Sequence, residues 1–423
     1  MAWGYGDIFR ARHAARLLVG TLVGRLPNAT ATIAILLLVR AEGGSYRLAA
    51  GLAAVYGLTH AVGQPLLGRL VDLRGQPGVQ LPASLLSALG AVLLALVGTD
   101  PLPVAYAAVA VSGFFAPPLE GGLRALWPSV LPHEGQVHRA YAMDAVAQEV
   151  MFTLGPLLVT LCVAVWSPSV ALLVINALGV LGALSVVTSE PSRAWRSAPR
   201  EAHWLGALRS RGLLTLLAAF LCVGAALGAI AVAGSSYAEG RGGGAVYGWL
   251  MAAVGFGALV GGAVYGARPW AGAPEPRLRV LVALLAVCYL PLTLVPGPVA
   301  MTLLSALAGV FLAPALACAF VVVDRHAPVG TVTEAFSWLV TTFSVGAAVG
   351  TAVAGPVVEW GGARAAFAVP AAAGTVALLV LVVARSALAA VPRAVTVTTV
   401  AVGTVENDRN GTAEPGFSNG HQA

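Results

Sequence analysis

The chain of 423 residues is poor in charge and contains no lysine. Aspartate, glutamate, lysine and arginine together make up 10% of the residues, whereas about a quarter of a soluble domain is usually charged. All 24 basic side chains are arginine, which we interpret as the mark of a GC-rich genome. So few charges cannot cover the surface of a soluble protein that is 58% hydrophobic. The composition therefore indicates a protein whose outer surface faces lipid.

Several kinds of functional motif are also missing. The chain has no Gly-x-Gly-x-x-Gly fingerprint, no nucleotide-binding P-loop and no His-Glu-x-x-His zinc motif. The net charge of +6 does not indicate nucleic-acid binding, because no polar domain gathers basic and aromatic side chains. The sequence thus predicts neither an enzyme nor an ATP-driven pump, and no cofactor or metal. Without metal-ligand spacing, we expect four reduced, buried cysteines: Cys162, Cys222, Cys288 and Cys318.

Twelve apolar runs approach the length of about 20 residues that a helix needs to cross a bilayer. Runs this continuous are not the alternating strands of a membrane barrel, so helices are predicted. The first run is too long for a signal peptide and eleven more follow it, so it is predicted to be a membrane helix. The runs in the first half cover residues 17–39, 48–70, 81–97, 104–126, 145–165 and 170–187. Those in the second half cover residues 213–233, 246–265, 280–295, 299–323, 336–357 and 365–383.

The placement of arginine predicts how these runs are oriented. If the N-terminus is cytoplasmic and the runs alternate, nineteen of the 24 arginines fall on the cytoplasmic side, four fall outside, and Arg25 lies within a helix. One missed helix would invert every later loop, so this bias supports an all-α membrane protein of twelve helices with both termini in the cytoplasm. Short sequences that recur in both halves, such as Ala-Val-Tyr-Gly at 54–57 and 245–248, indicate two pseudo-symmetric bundles.

This organisation divides the chain into four parts. The predicted parts are an N-terminal six-helix bundle over 1–188, a cytoplasmic linker over 189–212, a C-terminal six-helix bundle over 213–385 and a tail over 386–423. The tail is polar and rich in small residues, so we expect it to be disordered.

A charged turn, GQPLLGRLVDLRGQPG, lies between the second and third runs at residues 63–78. An aspartate beside a membrane is costly unless a partner meets it. Together with the six-plus-six arrangement and the long central loop, this turn gives the chain a resemblance to the major facilitator superfamily. Members of that family carry the pattern G-x-L-x-D-R-x-G-R-R in the loop after helix 2. The matching positions are Gly68, Leu70, Asp72 and Gly75. The family's three basic positions are instead held by Leu73, Gln76 and Pro77, with Arg74 one place after the first.

The resemblance implies that Asp72 belongs to a conformational latch. In the family this aspartate meets the N-terminus of helix 11 and an arginine of helix 4, and so locks the outward-open state. Here helix 11 is predicted to begin near Thr333, and Arg124 is the candidate cation. The predicted latch comprises Gly68, Asp72, Arg74, Gly75 and Arg124. The alternative is a solvated carboxylate that only ends a helix.

The resemblance also bears on the direction of transport. Helix 5 of drug-exporting members carries G-x-x-x-G-P-x-x-G-G, and Gly155 and Pro156 fit its centre, where the proline is expected to bend the helix. This partial signature favours export. The helix 4 arginine of proton-driven antiporters is absent, because its position aligns with Val109.

Ionisable side chains inside the runs are rare, and each is therefore a functional candidate. Arg25 needs an acid or an anionic substrate as its partner. Glu120 and Arg124 share a helix face, so an internal pair is the simplest interpretation; Glu120 is left free to titrate if Asp72 takes Arg124.

Glu149 is the deeper carboxyl on the fifth run, where apolar surroundings favour the protonated form, and it is the preferred proton carrier. An ion pair between Glu149 and Arg25 is the alternative. Asp144 is interpreted as a helix cap or as a partner of Arg139. His60 can titrate near neutral pH but is predicted to be a packing residue. Further cavity candidates are Asn28, Gln64, Gln148, Trp338 and Thr341.

The sequence thus predicts a monomeric secondary transporter of the inner (plasma) membrane that works by alternating access. Helices of the second half carry almost no charge, which suits a lipophilic substrate. Proton antiport that drives efflux of a drug-like compound or metabolite is the leading hypothesis. Uptake or uniport of a sugar or organic acid is the alternative, and a non-transporting receptor is the alternative of another class. Expected partners are a small lipophilic molecule, protons and the lipid bilayer, but not nucleic acid.

Overall fold

A computed structural model describes residues 5–199, 203–239 and 241–389. These residues form α-helices and two short 3-10 segments, and no strand is found among them. The α-helices are α1 (Tyr5–Arg10), α2 (Ala14–Ala41), α3 (Tyr46–Arg74), α4 (Pro77–Val97), α5 (Leu102–Phe114), α6 (Leu119–Val130), α7 (Glu134–Val165), α8 (Pro168–Val187), α9 (Glu190–Ala194), α10 (Arg211–Glu239), α11 (Gly244–Ala267), α12 (Pro274–Tyr289), α13 (Pro298–Gly309), α14 (Leu312–His326) and α15 (Val332–Val383). Below, α2–α8 are called the first bundle and α10–α15 the second bundle.

The prediction of an all-α membrane protein is confirmed. Within the described ranges, nine helical segments are long and apolar enough to cross a membrane. Helices are the form in which such segments satisfy their own backbone hydrogen bonds in lipid. The helices α3 and α7, of 29 and 32 residues, also exceed the length of a span but carry more charge. The total of twelve membrane helices stays a prediction.

Two predicted runs differ from the observed helices. Run 104–126 is divided between α5 and α6, because Pro117 and Pro118 cannot donate backbone hydrogen bonds and disfavour helix before them. Run 299–323 is likewise divided between α13 and α14. The last two runs form two helices, as predicted; both lie within α15 and are separated by a kink at Gly362, whose backbone is not helical, with φ at 65°. Glycine adopts this left-handed conformation at no steric cost.

The segment between the bundles is partly helical and is attached to the first bundle. It contains α9 and a 3-10 turn at Gly206–Arg209, and α10 already begins at Arg211. Arg69 of α3 donates hydrogen bonds to the carbonyls of Trp204 (2.7 Å) and His203 (3.1 Å). We call the end of the molecule where this segment lies the linker end. The predicted tail falls outside the described residues from residue 390 onward.

The apolar core shows how the bundles meet. One core joins the linker-end half of the first bundle, including Leu17 and Trp127, to side chains along the whole second bundle, such as Phe220 and Tyr237. A separate core, which includes Leu38, lies in the other half of the first bundle. The two bundles are therefore packed together at the linker end.

Candidate functional site

Two arginines and two carboxylates of the first bundle form a closed, buried charge network. Arg25 of α2 contacts Glu120 of α6 at 2.8 Å and Asp144 of α7 at 3.2 Å. Arg124 of α6 contacts the other oxygen of Asp144 at 2.6 Å and the other oxygen of Glu120 at 3.5 Å. Both arginines also donate to Oε1 of Gln148, at 3.3 and 3.2 Å. With every member ionised, the positive and negative charges balance.

Glu120 differs from the other carboxylate because it reaches a cavity. Its side chain is 13% exposed, whereas the Asp144 side chain is fully buried. Glu120 and Arg25 both line a small polar cavity that has room for about one water molecule. The two prolines that divide the fourth run place Glu120 in the first turn of α6, where the helix dipole favours a negative charge. Glu120 is therefore the carboxylate of the network that solvent can reach.

Three predicted pairings are wrong. Arg124 pairs with Asp144 and Glu120 and not with Asp72, because α6 turns its charged face into the first bundle. Asp144 is a fully buried member of the network and not a helix cap or a partner of Arg139. Arg25 takes Glu120 and Asp144 as partners instead of Glu149.

Arg124 also joins the network to the second bundle. Its guanidinium carbon lies 3.8 Å from the centre of the Phe320 ring of α14 and 6.0 Å from that of Phe336 of α15, within the range of a cation–π contact. Tyr141 of α7 packs at an angle against both rings and donates to the carbonyl of Arg124 at 3.3 Å. Arg124 is therefore a member of the network that lies at the boundary between the bundles.

Asp72, at the end of α3, bridges the bundles at the linker end. Its two carboxylate oxygens accept hydrogen bonds from the backbone N–H groups of Thr333 (3.0 Å) and Glu334 (2.8 Å) in the first turn of α15. A carboxylate at a helix N-terminus is stabilised by the unpaired N–H groups and by the helix dipole. The partner of Asp72 is thus a helix end, as the resemblance implied, and the latch role itself stays a proposal.

The glycines of the charged turn allow this close approach. A Cβ at Gly68 would meet the side chain of Ser337 and the carbonyl of Thr333 in α15. Gly75 ends α3 with φ at 83°, a conformation that side chains disfavour. Arg74 is exposed. Gln76, at a position that is basic in the family, is fully buried.

Gln76 is one of several residues that sequence reasoning missed. Its amide donates to the carbonyl of Gly122 in α6 (2.9 Å) and accepts from the hydroxyl of Ser192 in α9 (3.0 Å). Its place in the turn was visible in the sequence, but its partners were not. Phe320 and Phe336 were missed because nothing in their apolar runs distinguishes them from ordinary packing residues.

Other predicted cavity residues gather beside the network. Asn28 and Gln64 line the same cavity as Arg25. Asn28 accepts from the Tyr56 hydroxyl at 3.4 Å, and Gln64 donates to the carbonyl of Ala116 at 2.8 Å. His60 is buried and its ring stacks on that of Tyr56, with the centroids 6.1 Å apart, so its place is that of a packing residue.

The remaining candidates lie along α7 and α15. Glu149 is half-buried and follows Gln148 on α7. The Thr341 hydroxyl donates to the carbonyl of Ala61 in α3 at 3.3 Å, which is a second contact between the bundles. Trp338 packs against the core that joins the two bundles. A Cβ at Gly155 would contact Thr30 of α2, and the side chain of Pro156 lies outside the described residues. The bend of helix 5 stays a prediction.

Comparison with known proteins agrees with this architecture. The family model described as "Major Facilitator Superfamily" matches residues 17–329. No curated protein matches the sequence significantly. Among solved structures, the fold is similar to the human organic anion transporter MFSD10 (TETRAN), with 18% identity and a TM-score of 0.65, over 87% of this chain and 99% of that one.

Two bacterial structures are also similar. A homologue of the iron transporter ferroportin in an outward-facing state is 15% identical, with a TM-score of 0.69, over 88% of this chain and 99% of that one. A single-residue variant of the Escherichia coli fucose:proton symporter FucP is 15% identical, with a TM-score of 0.66, over 87% of this chain and 97% of that one. At such low sequence identity, the structural similarity establishes the shared fold and nothing more.

Proposed function

The chain belongs to the major facilitator superfamily, and we propose that it is a proton-coupled exporter of a small lipophilic molecule, with Glu120 as the proton-binding group. A member of this family is a membrane transporter rather than an enzyme. We further propose a monomer of the inner membrane with both termini in the cytoplasm, as the distribution of arginine predicts. The latch, the network and the cavity then take part in one alternating-access cycle.

The charge balance of the network carries the proposal. A proton on Glu120 leaves one net positive charge among Arg25, Arg124 and Asp144 in surroundings of low dielectric constant. A cationic substrate that docks beside Glu120 is favoured when this carboxylate is ionised and disfavoured when it is protonated. Substrate and proton therefore compete, and this competition couples their movements in opposite directions.

The side chains of the second bundle are an argument for a lipophilic substrate. Its charged side chains that are most buried, Glu275, Glu334 and His326, lie in the first or last turns of their helices. The side chains that face the network across the boundary are aromatic, Phe320 and Phe336. A substrate held between the bundles would thus have a polar wall on one side and an apolar wall on the other.

The state of the protein fits the proposed cycle. The bundles are joined at the linker end by Asp72, by the cation–π contact of Arg124 and by the shared core. If the linker end is cytoplasmic, this state is closed to the cytoplasm. Proton binding to Glu120 from outside would then precede the reopening of the junction at Asp72.

A second candidate, uptake of an organic anion together with a proton, is favoured by one observation. Arg25 lines the same cavity as Glu120 and binds it at 2.8 Å. A carboxylate substrate could take the place of Glu120 on Arg25 if Glu120 accepts a proton, which keeps the site neutral. The same network thus predicts antiport for cations and symport for anions.

Flux measurements in proteoliposomes test both candidates. Tetraphenylphosphonium and a lipophilic carboxylate are loaded in turn, and an acidic pH is imposed on either side of the membrane. For the exporter, tetraphenylphosphonium leaves the compartment opposite the acidic one. Glu120→Gln, which is as neutral as the protonated carboxyl, should remove the response to the gradient and also weaken the tetraphenylphosphonium flux. Glu149→Gln is the matched control and keeps the response.

Other results of the flux measurements would support the second candidate, move the proton site or contradict proton coupling. Movement of the carboxylate along with protons establishes the second candidate. Loss of the pH response in Glu149→Gln but not in Glu120→Gln moves the proton site to Glu149. Flux of either probe that ignores the gradient in the unmodified protein contradicts proton coupling and indicates a uniporter.

A further inference from the structure

A second cavity lies at the linker end of the first bundle, away from the charge network. Its volume is about 730 Å³, within the usual range for small-molecule sites. It is an open cleft lined by the end of α1, the turn between α1 and α2, the turn between α6 and α7, and α9. The side chain of Ile8 anchors α1 in the core below it. Neither the latch nor the network uses this cavity.

The walls of this cavity are rich in positive charge. Arg10, Arg12 and His13 line it, and the only carboxylate in the described lining is Glu190. Glu190 lies 3.8 Å from Arg12 and 3.4 Å from His13. Because the Arg12 and Glu190 side chains are 84% and 64% exposed, their ion pair is weak and can give way to a ligand.

The N-terminus of α2 also faces this cavity. Its N-cap residue, His13, has φ at 72° and makes no side-chain capping hydrogen bond, and no acidic residue lies in the first turn. Serine, threonine, aspartate or asparagine usually occupies this position and satisfies the first N–H groups. The 28-residue helix α2 thus begins beside the cavity wall at His13 without a side-chain cap or an acidic residue, and the positive end of its dipole suits an anion.

One buried amide in the lining of the cavity lacks a hydrogen-bond partner. Gln136 of α7 lines the cavity, is 5% exposed, and its Oε1 has no hydrogen-bond partner among the described residues. Native proteins rarely leave a buried polar atom unpaired without a ligand, water or ion to satisfy it. One turn further along α7, Arg139 is 6% exposed, and its Nη1 likewise has no partner in the described part of the chain.

We propose that this cavity binds a phosphate group, carried either by a membrane phospholipid or by a small soluble molecule. Guanidinium groups fit phosphate oxygens in a bidentate manner, and helix N-termini bind them through backbone N–H groups. Arg10, Arg12 and the start of α2 would hold the phosphate, and Gln136 would bond to a neighbouring hydroxyl group. Trp195 provides an apolar wall for the rest of the ligand. This site is independent of the proposed transport mechanism.

Binding to the purified full-length protein in a neutral detergent tests the proposal. The probes are inorganic phosphate, followed by equilibrium dialysis, and dioctanoyl phosphatidylglycerol, followed by native mass spectrometry. Dioctanoylglycerol, which lacks the phosphate, is the control ligand. We expect one phosphate-bearing probe to bind per chain and the control ligand to bind at least tenfold more weakly. Displacement of the lipid by inorganic phosphate identifies a site for free phosphate groups, and binding of the lipid alone identifies a phospholipid site.

Matched variants distinguish a built site from general attraction to positive charge. Arg10→Gln with Arg12→Gln should weaken binding at least tenfold. Arg193→Gln with Arg196→Gln removes the same charge from exposed positions at the same end and should leave the affinity within about twofold. Gln136→Leu keeps the volume and should weaken binding several-fold. Equal losses in both arginine pairs, or no binding of either phosphate probe, would overturn the proposal.

Discussion

Both bundles pack helices closely through glycine, but in the described residues the first bundle also holds a network of two arginines and two carboxylates in its interior. In the first bundle, four charged side chains meet in the interior within 2.6–3.5 Å of one another. In the second bundle, α10 and α15 approach so closely that a Cβ at Gly228 or Gly350 would press on the backbone of the other helix. Close backbone approach through small residues is a usual way to join helices in lipid.

The difference supports the proposed role of the first bundle in proton coupling. A buried charge network is rarely the most stable filling of a helix bundle, because apolar side chains of equal volume avoid its desolvation cost. The first bundle nevertheless keeps one, and places Glu120 of that network at a cavity. The second bundle meets the network with the aromatic rings of Phe320 and Phe336.

The largest expected effect comes from breaking the network. Asp144→Asn leaves Arg25 and Arg124 with a single carboxylate between them, and we expect a loss of about 3–5 kcal/mol in the free energy of unfolding. Denaturation of the protein in detergent measures this loss. The double variant Asp144→Asn with Arg124→Gln restores neutrality and should cost less than the sum of the single changes. A change below about 1 kcal/mol for Asp144→Asn would show that the network is not closed as described.

The second bundle should respond to volume instead of charge. Gly228→Val forces a side chain against the carbonyl of Ala347 and should destabilise the protein by about 1–3 kcal/mol. Gly355→Val, in the same bundle, is the matched control, because a Cβ there meets nothing within 4 Å. The same denaturation experiment compares them. Equal effects of the two substitutions would argue against tight backbone packing.

The junction between the bundles should respond to the charge of Asp72. Asp72→Asn keeps the shape but removes the negative charge from the N-terminus of α15, which is worth about 1–2 kcal/mol. We expect a larger population open at the linker end. Spin labels at the exposed positions Leu73 and Val329, in a cysteine-free background, report this as a longer distance. Arg74→Gln, an exposed neighbour, should leave the distances unchanged, and an equal shift in both variants would exclude a specific latch.

The smallest expected effect concerns a single hydroxyl at the same junction. Thr341→Val removes one hydrogen bond to Ala61 across the bundles and should shift the same equilibrium by about 0.5–1 kcal/mol. Thr342→Val is the control, because its hydroxyl donates within its own helix to the carbonyl of Trp338 at 3.0 Å. Spin-label distances that move as much in the control as in Thr341→Val would contradict a contact across the junction.

Sequence reasoning predicted the helices well and their interruptions poorly. Continuous apolar runs identify membrane helices because backbone satisfaction in lipid is a local requirement. Pro117 and Pro118 were visible, yet their consequence was missed: the break places Glu120 at the N-terminus of a new helix. The last two runs stay separate helices within α15, because the backbone at Gly362 is not helical.

The candidate residues of the site were found from sequence, but most of their partners were not. A charge inside an apolar run is a signal by itself, so Arg25, Glu120 and Arg124 were identified. Which acid meets which arginine depends on the rotation of α2, α6 and α7 about their axes. Asp144 was assigned to the helix end because its depth was judged along the chain, whereas the packing of three helices buries it completely.

By itself, the sequence determined that this protein is a helical membrane protein with a family-like turn at Asp72, because hydropathy and spacing act over a few residues. The resemblance already implied that Asp72 meets a helix start, but only the tertiary structure decided that the two arginines share two acids and that Glu120 reaches the cavity. A buried charge must find its counter-charge across space, and the rigid packing of helices settles which one lies within reach.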